Sequence, residues 1–337
     1  MSKKHILLIL SIFSCAGLLA QAGTGVYQFL DLPVSSRLAA LGGINVSLCD
    51  NDINFAFQNP ALLTKETNNM IGLNMANYLA DIKFGSAMYS HNIDNKNYLA
   101  LGMEYVDYGK FRYADEINTE NDVITYFTAK DMVLNAIYAR PITKNITVGG
   151  TLKAIYSAYE RYSSFGMALD AGVSYNDPVL FFSAGLVLKN MGTQFKGYYS
   201  DDYGQHFEVL PFNIELGASK KLSHAPFRFS VNLHNLQHWD LSYITDDKDV
   251  KFIDMAFRHT ILGLEFLPGK NIYLAASYNH RRHQELKMDG FKSMAGFSFG
   301  GGIKLSKFQV GFGMSQFQVG NYAYLFSIST NLNKFKF

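Results

Sequence analysis

The densest run of chemistry-bearing residues in the chain is His280, Arg281, Arg282 and His283. Two imidazoles at this spacing could hold zinc only if further ligands came within reach and the ring nitrogens were left unpaired. Two guanidiniums beside them suit phosphate groups. Asp246-Asp247-Lys248-Asp249 gathers carboxylates as a calcium loop does, but it lacks the Gly and the distal Glu of an EF-hand. It reads more simply as a charged loop tip. Gly300-Gly301-Gly302 is no phosphate cradle, because no helix start follows it. Glycines there permit curvature or close packing. Ser, His and Asp all occur, yet no ordered signature joins them into a triad. No enzyme and no cofactor is expected.

The elements that position these residues begin with the N-terminus. Lys3, Lys4 and His5 form a short positive stretch, Ile6 to Leu19 is apolar, and Ala20-Gln21-Ala22 is a small-x-small cleavage site. Residues 1–22 read as a secretory signal peptide, with the mature chain starting near Gly23. The apolar run is short for a membrane span. A lipoprotein signal ending at Cys15 is disfavoured by Phe13 before it and by the apolar Ala16–Ala20 after it. The cysteines are Cys15 and Cys49, so processing leaves one thiol and rules out a disulfide framework or a zinc cluster. Cys49 reads as a small buried hydrophobe. The formal charge of +2 includes Lys3 and Lys4, so the mature chain is close to neutral and has no basic stripe for nucleic acid. Aromatics at 15% and charged residues at only 17% favour a membrane barrel over a soluble domain.

From Met70 on, the apolar pattern has a period of two. Phe165, Met167, Leu169, Ala171, Val173 and Tyr175 point one way, and Gly166, Ala168, Asp170, Gly172 and Ser174 the other. Phe227–His234 and Phe308–Ser315 repeat the pattern. The segments run to about ten residues, enough to cross a bilayer when tilted and longer than sandwich strands usually are. About fourteen such segments are predicted: 70–78, 83–91, 97–106, 131–140, 145–157, 164–175, 179–189, 208–219, 227–236, 257–267, 271–281, 294–305, 307–316 and 322–332. The expected fold is all-β, a transmembrane antiparallel barrel over 70–337. The connections support it. Alternate ones are short turns, such as Pro141–Lys144 and Pro268–Lys270. The others, Asp107–Lys130, Asn190–Phe207, Gln237–Ala256 and Arg282–Ser293, are long and polar. Short turns in the periplasm and long loops outside are the habit of outer-membrane barrels, with both termini periplasmic.

Residues 23–69 lack the strand pattern and read as an N-terminal plug inside the barrel mouth. Its Asn59-Pro60-Ala61 makes a stiff turn, because Pro60 has no N–H and Asn59 can bond its own backbone. This turn either gates a lumen or merely seats the plug. In the loop 107–130, Tyr108, Phe111, Arg112 and Tyr113 form a candidate partner-docking surface, joined by Tyr126 and Phe127. A solvated loop with aromatics at the membrane interface is the plainer reading. Arg281 and Arg282, at a strand end, would meet lipopolysaccharide phosphates at the outer rim, unless they are simply solvated.

The ordered set Leu32–Gly43, Asp50–Asp52 and Asn59–Leu63 resembles the start of the PorV/PorQ proteins, within the wider FadL-like group of fourteen-stranded barrels. Leu73–Tyr78 and Tyr105–Lys110 resemble PorQ-like members in particular. The resemblance implies a place in the type IX secretion system. There such a barrel holds a PorZ-like surface protein, beside a PorU/PorV-type complex that attaches cargo to anionic lipopolysaccharide. The alternatives are a FadL-like transporter of hydrophobic small molecules and a PorV-like cargo shuttle.

Overall fold

In a computed structural model the described residues are 25–78, 82–112, 126–200, 204–242, 250–287, 294–318 and 321–335. The predicted signal peptide, Tyr113 and Asp246–Asp249 lie outside them.

The strands are β1 (Met70–Asn77), β2 (Lys83–Asn92), β3 (Tyr98–Arg112), β4 (Tyr126–Pro141), β5 (Ile146–Tyr159), β6 (Tyr162–Asp177) and β7 (Phe182–Lys196). After a small ribbon, β8 (Tyr198–Ser200) and β9 (Gly204–His206), come β10 (Asn213–Lys221), β11 (Phe227–Leu233), β12 (Thr260–Phe266), β13 (Ile272–Asn279), β14 (Phe297–Lys304), β15 (Phe308–Gln318) and β16 (Asn321–Asn331). All but the ribbon pair in chain order into one closed antiparallel barrel, sealed where β1 meets β16 from Met70↔Asn331 to Asn77↔Tyr324. This is the fourteen-stranded barrel that the alternation predicts. Closure leaves no open edge, which the bilayer core requires.

Side-chain parity follows the sequence. Phe165, Leu169 and Val173 are exposed on the outside of β6, while Gly166, Ala168, Asp170, Gly172 and Ser174 are buried within. Leu101, Phe229, Leu274 and Phe326 extend the exposed apolar face around the ring. In water such a face would be a gross liability; against acyl chains it is the required surface.

The structure differs from the prediction mainly at the long-loop end. β3 and β4 reach 15 and 16 residues, well past the ~9–11 that cross a bilayer. The β2 pairing ends at Lys83↔Asp107 and the β5 pairing at Ala129↔Tyr159. Beyond a register shift, the β3–β4 ladder continues as Lys110–Arg112 with Tyr126–Thr128, past the last β2 and β5 register pairs, with Glu160 N still bonding Thr128 O at 3.0 Å. Residues 257–259, predicted as strand, belong instead to the end of helix α2 (Phe252–Arg258) and its cap, His259. His280–Glu285, expected at a strand end, form helix α3.

Residues 25–69 form short turns and one brief helix, α1 (Ser36–Ala40). Leu38, Ala39, Leu41, Ile53, Phe55 and Leu63 are fully or almost fully buried, so this segment supplies much of the core within the barrel. Three of these elements are started by a side-chain cap. Ser35 accepts from Leu38 N, Asp52 from Asn54 N and Asn59 from Ala61 N.

Candidate functional site: the plug, its fastenings and the cavities beside it

Arg37 follows Ser36 in α1 and is only 4% exposed. Its guanidinium lies 2.6 Å from Asp50, 2.8 Å from Glu265 of β12 and 3.8 Å from Asp52. The Tyr273 ring sits 4.6 Å from Arg37 Cζ. Arg228 of β11, the register partner of Glu265, closes the group at 2.9 Å from Asp50 and 3.0 Å from Glu265. Two cations and three carboxylates thus join the plug to the barrel wall near the short-turn end. Burial alone would push the Asp50 carboxyl up, but Arg37 and Arg228 hold it well below the ordinary carboxylate range. Asp52 has only the more distant contact with Arg37, and burial leaves its carboxyl raised. Burial also pushes the half-buried Cys49 thiol up to about 11, which makes it inert rather than nucleophilic.

Asn59 makes the second fastening. Its Oδ1 accepts from Ala61 N at 3.0 Å, and its Nδ2 donates to Val46 O at 2.9 Å and to Val173 O of β6 at 3.2 Å. The wall yields to receive it. A Cβ on Gly172 would collide with Asn59 Oδ1, one on Gly185 with Val46 O, and one on Gly149 would lie 2.7 Å from Pro60 C. Three inward glycines on adjacent strands therefore form a recess for Asn59, Pro60 and Ala61. Both ends of the Asn59 amide are occupied there. Gly300 likewise lets the wall approach Ala40 of α1. More buried charge lines the lumen, where Lys153 meets Asp170 at 2.8 Å and Lys189 meets Glu215 at 3.6 Å.

Two cavities open beside the plug near the long-loop end. One, of about 310 Å³, is walled mainly by Phe29, Leu32, Tyr78, Ile82, Val106 and Phe317. The other, of about 590 Å³, shares Gln28, Phe29 and Tyr108 with the first. It adds Tyr27, Tyr159 and Tyr198, with Asp131 and Glu208. Its tyrosine hydroxyls are tied inward: Tyr108 and Tyr159 donate to Asp131 at 2.7 and 3.0 Å, and Tyr27 and Ser164 share a 2.5 Å bond.

The candidate docking residues separate accordingly. Tyr108 turns inward to the cavities, whereas Phe111 and Arg112 are exposed on the extended end of the β3–β4 hairpin. Phe111 stacks on Phe127 at 5.2 Å, and Tyr126 is 58% exposed beside them. Arg281 and Arg282 separate as well. Arg281 bonds Glu285 at 2.7 Å and Asn235 at 3.1 Å. Arg282 points inward, donating to Ser315 Oγ at 2.8 Å and to Gly42 O of the plug at 3.3 Å, over the Phe317 ring. Burial draws its guanidinium down to about 10. His280 Nε2 lies 2.7 Å from Asp254 of α2, and His283 Nδ1 2.9 Å from Ala295 O, so the two imidazoles face different partners.

Arg37, Asp50, Arg228 and Glu265 are absent from the candidate sites read from sequence. The available signal is parity: Glu265 and Arg228 are charges at inward-facing positions of their strands.

No protein-family model and no curated protein matches the chain. Solved structures do. The toluene transporter TodX of Pseudomonas putida superposes with a TM-score of 0.57 at 13% identity, over 90% of this chain and 100% of TodX. The Ralstonia pickettii toluene transporter TbuX gives 0.56 at 10% identity, over 90% and 99%. A Pseudomonas aeruginosa FadL homologue gives 0.50 at 9% identity, over 88% and 98%. Identities this low carry the fold and nothing finer, and that fold is the FadL-like outer-membrane β-barrel.

Proposed function

We propose that this chain is a non-enzymatic outer-membrane barrel of the type IX secretion system, PorQ-like in kind, which anchors a PorZ-like surface protein. That protein would support cargo attachment to anionic lipopolysaccharide by a PorU/PorV-type complex. The observation that carries the reading is the hairpin Lys110–Arg112 with Tyr126–Thr128, which extends past the last β2 and β5 register pairs and exposes Phe111 and Tyr126. A rigid scaffold with aromatic anchors on a projecting element is what a protein partner uses. The fastened plug agrees with it, since an anchor needs no open lumen. The resemblance of Leu32–Gly43, Asn59–Leu63 and Tyr105–Lys110 supplies the system. The test is a detergent pull-down of the tagged barrel from native outer membranes, with and without residues 110–128. A stoichiometric exported surface protein that disappears on trimming supports anchoring. A partner that stays bound to the trimmed barrel defeats the assignment to this hairpin.

The 310 Å³ apolar cavity favours a second reading, a FadL-like transporter. TodX and TbuX are toluene transporters, and a small apolar molecule is the corresponding cargo here. Recovery of the barrel alone, carrying a bound hydrophobic compound, would select it.

A further inference from the structure

Helix α2 carries two unlike faces. Met255 and Arg258 are buried, and Asp254 binds Arg258 at 2.8 Å and His280 at 2.7 Å. On the other side Phe252 is 73% exposed, Ile253 69% and Phe257 47%. Trp239, the sole tryptophan of the chain, joins them at 46% exposure, its ring 5.5 Å from Phe252. Trp239 is held in place: His259 stacks on it at 4.8 Å, and His259 Nε2 lies 3.0 Å from Trp239 O.

This patch adjoins the lipid-facing surface. At the long-loop end of this sector, Leu262, Tyr278 and Phe297 are register partners on the outward face of β12, β13 and β14, and the Tyr278 and Phe297 rings lie 4.9 Å apart. Tyr278 reaches His280 at 6.1 Å, and His280 reaches Phe257 at 5.9 Å. A chain of rings thus runs from the bilayer-facing wall to the exposed face of α2. Indole favours the headgroup boundary, where its apolar body and its N–H are both accommodated, and apolar side chains beside it bury in the adjoining acyl edge.

We propose that the α2 face and Trp239 lie in the lipid of the leaflet at the long-loop end, as an interfacial anchor continuous with the barrel's apolar belt. Asp254, Arg258 and His280 bind the helix to the barrel, and Phe252, Ile253, Phe257 and Trp239 dip into the acyl–headgroup boundary. The occupant is lipid, and the proposal stands whether the barrel anchors or transports.

The sole tryptophan permits a direct test on the intact barrel in vesicles of phosphatidylcholine brominated at shallow or deep acyl carbons. Roughly a twofold loss of emission in the shallow-brominated vesicles, and less in the deep ones, is expected for an interfacial indole. The double variant Phe252→Ser/Ile253→Ser should weaken that quenching while the barrel keeps its heat-modifiable mobility on a gel. Emission indifferent to every brominated lipid overturns the proposal, whether the indole then proves open to acrylamide or covered by protein.

Discussion

Arg37 of the plug and Glu265 of β12 are 228 positions apart in the chain, yet their side chains meet at 2.8 Å with almost no solvent access. An isolated guanidinium so buried would be ruinous. Here it is the common partner of three carboxylates.

Removing Arg37 should therefore cost more than the pair contributes. Arg37→Met leaves Glu265, Asp50 and Asp52 facing one another with only Arg228 in reach, and should destabilise the protein by about 3–5 kcal/mol. Urea unfolding in detergent, monitored by tyrosine circular dichroism, would read it. The double change Arg37→Met/Glu265→Met should recover part of the loss, because it removes the stranded charge as well.

The same group predicts an acid limit. The Asp50 carboxyl is lower in the folded protein than its ordinary 3.8. Its contribution is therefore complete above that value and is lost as pH falls through the depressed folded one. Stability from Asp50 should be level at neutral and mildly acid pH and decline only below about 4. Asp50→Asn should remove that decline and lower the plateau. A wild-type protein that weakens already between pH 5 and 7, with the same slope in Asp50→Asn, would show that Asp50 is not responsible.

Gly172→Val should unseat Asn59, since the new side chain takes the position of its amide oxygen. Asn59→Ala leaves the recess intact but removes the acceptor of Ala61 N and the side-chain donor to Val46 O, at about 1–3 kcal/mol. Proteolysis of the plug separates them. It should be rapid in Gly172→Val and only modestly faster than wild type in Asn59→Ala.

On the hairpin, Phe111→Ser and Tyr126→Ser should each weaken partner binding by about 2 kcal/mol if they are anchor residues. Barrel stability should not change, because both side chains lie beyond the strands' shared wall. Affinity of the purified barrel for the surface protein, measured by interferometry, decides between this surface and another.

The barrel was legible because a wall with lipid on one face and a packed lumen on the other imposes strict alternation. Strand ends were less so. At the β3–β4 hairpin the alternation is interrupted by Gly109, at φ 81, and by the register shift between Asp107 and Lys110, so paired residues read as loop. Arg282 looked like a rim cation because the strand pattern runs through Asn279. In fact the Asn279 side chain caps α3 by accepting from Arg282 N, and the turn carries the guanidinium inward. The fastenings of the plug were out of reach for a different reason. Arg37, Asn59 and Gly172 are tied to the wall by partners more than a hundred residues away, such as Glu265 for Arg37, Val173 for Asn59 and Asn59 for Gly172.

The seam between β1 and β16 differs in kind from every other pairing in the wall. Each other barrel strand pairs with its successor in the barrel sequence, so those contacts close far smaller loops than the seam does. The seam instead brings Met70 to Asn331. Met70 directly follows Asn69, so the stopper is tethered to one lip of the final gap. The same segment also bridges the joint: its turn Ile53–Phe57 packs on β1 and β2 and its helix α1 on β14, β15 and β16, so the stopper clamps both lips of the one pairing that joins the two ends of the strand series.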